Sequence, residues 1–350
     1  MRNQSTDPEA FQQFTRLLAT PSPSGFESRM ADAVRGELER IGWSAEQDAA
    51  GNVLVRVPGK DPSRPSVCYA AHLDEIGMTT TRIFPDGSLG VTRLGGLLPW
   101  KLGESPVVIV GDAEDVTGMF SLGSGHSRRV VDAGPSWEAA RILTGRSPVS
   151  LAAAGVRAGS PAVPAAAVRG PILFGGEDTP WVGAWTFDNR LGVTACLQAL
   201  AQLKAAEGLP QSPLLVAFTV EEEIGCLGAK ALAARERPDI LIAIDGSPLV
   251  PECPVPLDGR PAIRSRDRLA TYDQQLLHRI RDIASDVGIA LETVVYDGAA
   301  SDASAVYAAG TCPRVACLGY VRASSHGYEV TPLQTFDALS RTVAALFRDL

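Results

Sequence analysis

The sequence predicts an α/β protein: a mostly parallel sheet with helices on both faces, interrupted by a small β-barrel-like domain. Three observations carry this. Apolar runs of strand length at residues 67–71, 213–218 and 240–244 alternate with stretches whose apolar residues recur at helical spacing. Those runs are continuously apolar, as expected of strands buried on both faces of a parallel sheet. Between about Thr81 and Pro180 the texture changes, with short strand-like pieces set among frequent glycines and prolines. The chain therefore divides into a discontinuous main domain, residues 1–80 and 181–350, and an insert, residues 81–180.

In order, Asp7-Pro8-Glu9 supplies a cap, a first-turn proline and an acid for a helix carrying Phe11, Phe14, Leu17 and Leu18. Ser24-Gly25-Phe26-Glu27 has capping-box spacing and is expected to open a second helix bearing Met30, Val34, Leu38 and Ile41. Val53, Val55 and Val57 alternate as in a strand, and Val67-Cys68-Tyr69-Ala70-Ala71 reads as a buried one. Within the insert Val107-Val108-Ile109-Val110 is strand-like, whereas residues 152–168 show neither period. Asp188-Asn189-Arg190 leads into a helix with Val193, Cys196, Leu197, Leu200 and Leu203 on one face. A strand over 213–218, a helix over about 227–235 and a strand ending at Asp245 follow. Next come an amphipathic helix around Leu276–Val287 in residues 276–287, strands at 292–296 and 315–320, and a final helix with Phe336, Leu339, Val343, Leu346 and Phe347. Strand–helix alternation implies crossovers and a parallel arrangement.

Composition narrows the function. A net charge of −8 without a Lys/Arg block argues against nucleic-acid binding through a basic face. The first residues lack the apolar core of a signal peptide, and no stretch is long enough to span a bilayer, so no membrane role is expected. Six cysteines without a C-x-x-C pair read as reduced core residues of a cytoplasmic protein. No Gly-x-Ser-x-Gly elbow or phosphate-binding glycine loop supports a serine hydrolase or a nucleotide enzyme.

What remains is concentrated where apolar runs stop. The strand at 213–218 ends in Thr219-Val220-Glu221-Glu222-Glu223-Ile224-Gly225, three adjacent acids that repel one another and call for positive charge. His72 and Asp74 follow the strand at 67–71, Asp245 follows another, Asp188 opens a helix and His326 lies beyond a third strand. Ligands bind at the carboxyl ends of strands in open α/β sheets, so these groups can converge on one crevice. Imidazole and carboxylate donors without thiolate suit two divalent ions (Zn²⁺, Co²⁺ or Mn²⁺) about 3.5–4 Å apart, with one carboxylate shared and another free to act as base. His278 on an amphipathic helix reads as solvated, and His126 as a loop residue of the insert.

The set His72-x-Asp74-Glu75-x-Gly77, Asp188-Asn189-Arg190-x-Gly192, Glu222-Glu223-Ile224-Gly225-x-x-Gly228-Ala229, Asp245 and His326-x-x-Glu329 resembles the M42 family of dinuclear metallo-aminopeptidases. These TET-type enzymes include glutamyl aminopeptidases. The resemblance covers nearly the whole chain and implies a zinc-exopeptidase-like main domain. It implies that His72 and Asp245 bind one metal, Glu223 and His326 the other, and that Asp188 bridges them. Glu222 would be the general base, with Asp74 orienting His72. The insert would be a dimerisation domain of a homo-oligomer up to a dodecamer, and the substrates short peptides. Glu221 stands where the family usually has Gln, and the residues after Asp245 and around His326 depart from its pattern near the substrate pocket. Beside this reading stand a metal-dependent deacylase of small N-acyl or amide substrates, and a non-catalytic relative.

Overall fold

The computed structural model describes residues 8–127 and 134–350. Four parallel strands form the centre of an eight-stranded sheet: Leu214–Thr219, Val67–His72, Ile240–Pro248 and Arg314–Arg322, in that spatial order. The strands that flank this centre, Val53–Val57 and Pro261–Arg266, run antiparallel to it. Val53–Val57 runs against Leu214–Thr219, with Glu46–Gln47 outside it; Pro261–Arg266 runs against Arg314–Arg322, with Glu292–Val295 outermost. The sheet is thus mixed, and the expectation of a mostly parallel one describes its centre. The segments 58–66 and 249–260 contain no helix, and parallel crossovers usually require one. Pro261–Arg266 was not anticipated from the sequence, and Ile240–Pro248 extends past Asp245 instead of ending there.

Register aligns the strand ends. Thr219 pairs with His72, and the offset that pairs Ala243 with Ala70 brings Asp245 level with His72. Helices Pro8–Leu18, Phe187–Ala205 and Thr335–Asp349 pack together, as do Leu227–Glu236 and Asp302–Ala308. One apolar cluster joins them to the central strands, with Phe14, Phe187 and Phe336 in mutual ring contact. The second helix is Ser28–Arg40, and its N-terminus has no side-chain cap. Ser24 instead donates its hydroxyl to Asp74 at 2.7 Å, so the capping-box reading fails because the site recruits the serine. Asp7, the expected cap of the first helix, lies outside the described residues.

Between Gly77 and Pro164 six strands close into a barrel with its own apolar interior, including Met78, Leu89, Ile109, Phe120 and Ile142. The stretch 152–168, read as aperiodic, holds the closing strand Pro161–Pro164, which pairs with both Gly77–Ile83 and Pro106–Ile109. Prolines at both its ends mask the strand signal without breaking the ladder. After the barrel, Ile172–Gly176 and Thr179–Trp185 join Tyr328–Pro332 in a three-stranded sheet. This sheet carries the chain back towards the helix that begins with Phe187 and Asp188.

Candidate metal centre

Two groups of potential ligands share one residue. His72, Asp188 and Asp245 form the first, and Asp188, Glu223 and His326 the second, with one donor atom from each residue within 4.8 Å of the others. His72 Nε2 lies 3.0 Å from Asp188 Oδ1 and 3.9 Å from Asp245 Oδ1. His326 Nε2 lies 3.8 Å from Asp188 Oδ2 and 3.6 Å from Glu223 Oε2. Asp188 therefore presents one oxygen to each group. Glu223 Oε1 is buried without a hydrogen-bond partner, an acceptor that a cation would satisfy. This donor set fits a pair of borderline divalent ions.

Backbone placement explains the convergence. His72 ends its strand, Asp245 lies in the neighbouring one, and Asp188 stands with Asn189 in a non-helical kink, joined by a cis peptide, just before the regular turns of the helix. Glu221, at φ 55°, starts the tight turn that carries Glu222 and Glu223. The N–H groups of Glu222 and Glu223 donate to the Asp74 carboxylate at 2.9 and 3.1 Å. Asp74 also faces His72 Nδ1, at 3.1 Å from its backbone oxygen and 3.4 Å from its carboxylate. One buried acid thus holds both the imidazole and the Glu222–Glu223 turn.

Three partners had no role in the sequence reading, which quoted Glu329 only within a motif. Glu329 accepts from the backbone N–H of Asp188 at 3.0 Å and of His326 at 3.1 Å, joining the two metal groups. Arg322 donates to Glu329 at 2.6 Å and also to Asp188 Oδ2. Arg264 reaches Asp245 Oδ2 at 3.1 Å. An arginine directly after apolar residues, as in Ala262-Ile263-Arg264, was the available signal. The barrel side contributes Gly96, whose carbonyl lies 3.4 Å from His326 Nδ1; a Cβ there would fall 2.5 Å from that nitrogen. His278 is exposed on its helix, and His126 is exposed; Arg128 and Arg129 lie outside the described residues.

The electrostatics separate the acids. Burial works against charge on Asp188, but Arg322, His72 and His326 outweigh it and hold that carboxyl below its ordinary range. Burial pushes Glu222 and Glu223 well up, reinforced by Asp245 and Glu223 for the former and by Asp188 for the latter. Asp188 is thus held charged, whereas burial favours the proton-bound forms of Glu222 and Glu223. A cavity of about 440 Å³ opens on these residues, with Lys230, Pro248, Arg268 and Leu269 further along its wall. Among the described residues no helix is long and apolar enough to cross a membrane.

The chain is 28% identical over 245 residues to a glutamyl aminopeptidase of Lactococcus lactis subsp. cremoris, covering 69% of this chain and 67% of that protein. It is 28% identical over 237 residues to a lysyl aminopeptidase of Pyrococcus furiosus, covering 66% and 64%. The chain thus spans about two thirds of the length of these two relatives. Among solved structures, the Pyrococcus horikoshii TET1 peptidase, which can assemble into a tetrahedron or a large octahedral shell, superposes with a TM-score of 0.85. It shares 26% identity and is covered over 97% of this chain and 100% of its own. An aminopeptidase from Desulfurococcus kamchatkensis gives a TM-score of 0.84 at 25% identity, over 97% and 94%. The model of the M42 glutamyl aminopeptidase family matches residues 51–341, and the chain belongs to that family of peptidases.

Proposed function

We propose that the protein is a metal-dependent aminopeptidase that removes N-terminal residues from short peptides with two divalent ions, Zn²⁺, Co²⁺ or Mn²⁺. The observation that carries this reading is the position of Asp188 between two ligand groups, with Glu222 beside them, within 4.8 Å of His72 and Glu223. His72 and Asp245 would hold one ion, Glu223 and His326 the other, and Asp188 both. Ions bound there would polarise the scissile carbonyl and make a shared water acidic. Glu222 takes the proton from the attacking water and passes it to the leaving amine. Asp74 and Glu329 fix the backbone that carries these groups, so little reorganisation is needed as charge develops. The carboxylates around the ions would meet the free α-amine of the substrate and disfavour a blocked one.

The names of the two relatives span acidic and basic N-terminal residues, so family membership leaves the preference of this chain open. In line with the assemblies of the structural neighbours, the barrel is proposed to mediate a dimer from which larger homo-oligomers build. The test is initial rates on aminoacyl-p-nitroanilides and short peptides, with metal loaded and with chelator. Chelator-sensitive release from free amines, absent on N-acetylated counterparts, is expected. Turnover of the acetylated set alone would replace this reading with a deacylase.

A further inference from the structure

Beside the two ligand groups lies a third cluster with different chemistry. Glu222, Cys226 and Asp302 each offer a donor atom within 4.8 Å of the others. The Cys226 thiol donates a hydrogen bond to Glu222 Oε1, with sulfur and oxygen 3.6 Å apart. Asp302 is 3% exposed; its Oδ2 accepts from the Thr219 hydroxyl at 2.6 Å, and its Oδ1 has no hydrogen-bond partner. A buried, unpartnered carboxylate oxygen is costly and is ordinarily explained by an ion or a water.

We propose that Glu222, Cys226 and Asp302 form a third cation site, selective for soft divalent ions. In a tetrahedral zinc site with Zn–S near 2.3 Å and Zn–O near 2.0 Å, sulfur and oxygen stand about 3.5 Å apart. The separation of Glu222 and Cys226 matches that edge. The backbone holds the thiol in place: Cys226 sits at φ 56°, its N–H bonded to the Glu222 carbonyl at 2.9 Å. Helices Leu227–Glu236 and Asp302–Ala308 pack against each other, which sets Asp302 next to it. Sulfur distinguishes this site from the two catalytic groups, which contain none, and favours Zn²⁺ or Cd²⁺ over Mg²⁺ or Mn²⁺. On binding, the S–H bond breaks, the metal–sulfur bond forms, and the proton leaves to solvent.

A functional consequence rests on the proposed role of Glu222 as base. A cation in the third site holds that carboxylate and arrests proton transfer, so excess zinc or cadmium inhibits while excess manganese does not. The test uses the full-length enzyme with its two catalytic ions loaded, titrated with Cd²⁺ alone. Bound zinc and cadmium are measured after dialysis, and the ultraviolet sulfur-to-cadmium charge-transfer band is followed for wild type, Cys226→Ser and Asp302→Asn. Wild type should take up one ion beyond two, with the band rising in step and turnover falling about a hundredfold or more at saturation. Cys226→Ser should lose the band and the extra ion, and Asp302→Asn should weaken both. A missing band in wild type, or an equal band in Cys226→Ser, overturns the site. Band and extra ion with undiminished turnover uphold the site and overturn Glu222 as the base.

Discussion

The barrel and the carboxyl edge of the main sheet are filled by opposite means. Inside the barrel the buried cluster is made of aliphatic and aromatic side chains, such as Leu89, Val116 and Phe120. At the sheet edge the interior is ionic. Glu75, fully buried, accepts from Arg169 at 2.9 Å, Arg190 at 3.2 Å, Trp185 at 3.0 Å and the Ser22 backbone at 2.9 Å. Arg264, Arg322 and Glu329 are buried nearby. Apolar packing tolerates changes that conserve volume, but a buried charge stripped of its partner does not. The edge therefore depends on every member of the network.

Substitutions that conserve shape test this contrast. The largest effect is expected at Glu222→Gln, which removes the base while keeping size: kcat should fall about 10²–10⁴-fold with metal content and Tm unchanged. An unaltered kcat would place the base elsewhere. Next is Glu75→Gln, which removes the carboxylate that pairs with both Arg169 and Arg190 and should destabilise by about 3–5 kcal/mol in urea unfolding. Gly96→Ala should push His326 aside and weaken metal affinity about 10–100-fold in competition with a chelator. Wild-type affinity in that variant would mean that the barrel wall does not position the histidine. Within the barrel, Leu89→Met should cost less than about 1.5 kcal/mol; a cost equal to that of Glu75→Gln would erase the distinction.

The smallest effect concerns an ion cluster nearer solvent. Burial opposes charge on Glu37, but hydrogen bonds from Arg16, Arg40 and Gln13 outweigh it and lower its pKa from 4.5 to about 2. A depressed carboxyl stabilises the fold above its unfolded value, so this contribution is complete above about pH 4.5 and lost as pH falls towards 2. Both arginines are substantially exposed, which limits the gain to about 1 kcal/mol. Glu37→Gln should flatten the acid limb of stability against pH by that amount and leave neutral turnover alone.

Much of this was legible in the sequence because burial and chemistry coincide in it. An apolar run such as Val67-Cys68-Tyr69-Ala70-Ala71 marks a central strand, and the abrupt His72 and Asp74 mark the edge where a ligand sits. Partners drawn from distant segments were not legible. Nothing adjacent to Arg322 signals Asp188, and nothing beside Glu75 signals Arg169 or Arg190, because tertiary packing alone brings them together. Pro161–Pro164 escaped because its prolines speak against a strand, although they stand only at its ends. Ser24 misled for a related reason: local spacing announced a cap, while the side chain was needed 50 residues away.

The division of the metal centre along the chain also has a consequence in time. His72 and Asp74 leave the ribosome about 250 residues before His326 and Glu329, so at roughly 5–20 residues per second the two halves are separated by on the order of ten to fifty seconds. Throughout that interval the nascent chain lacks His326, one of the five proposed ligands, and so has no complete ligand set. Peptide trimming therefore cannot begin until the strand Arg314–Arg322 and the loop after it have been synthesised. A truncated product of stalled translation would be born inert.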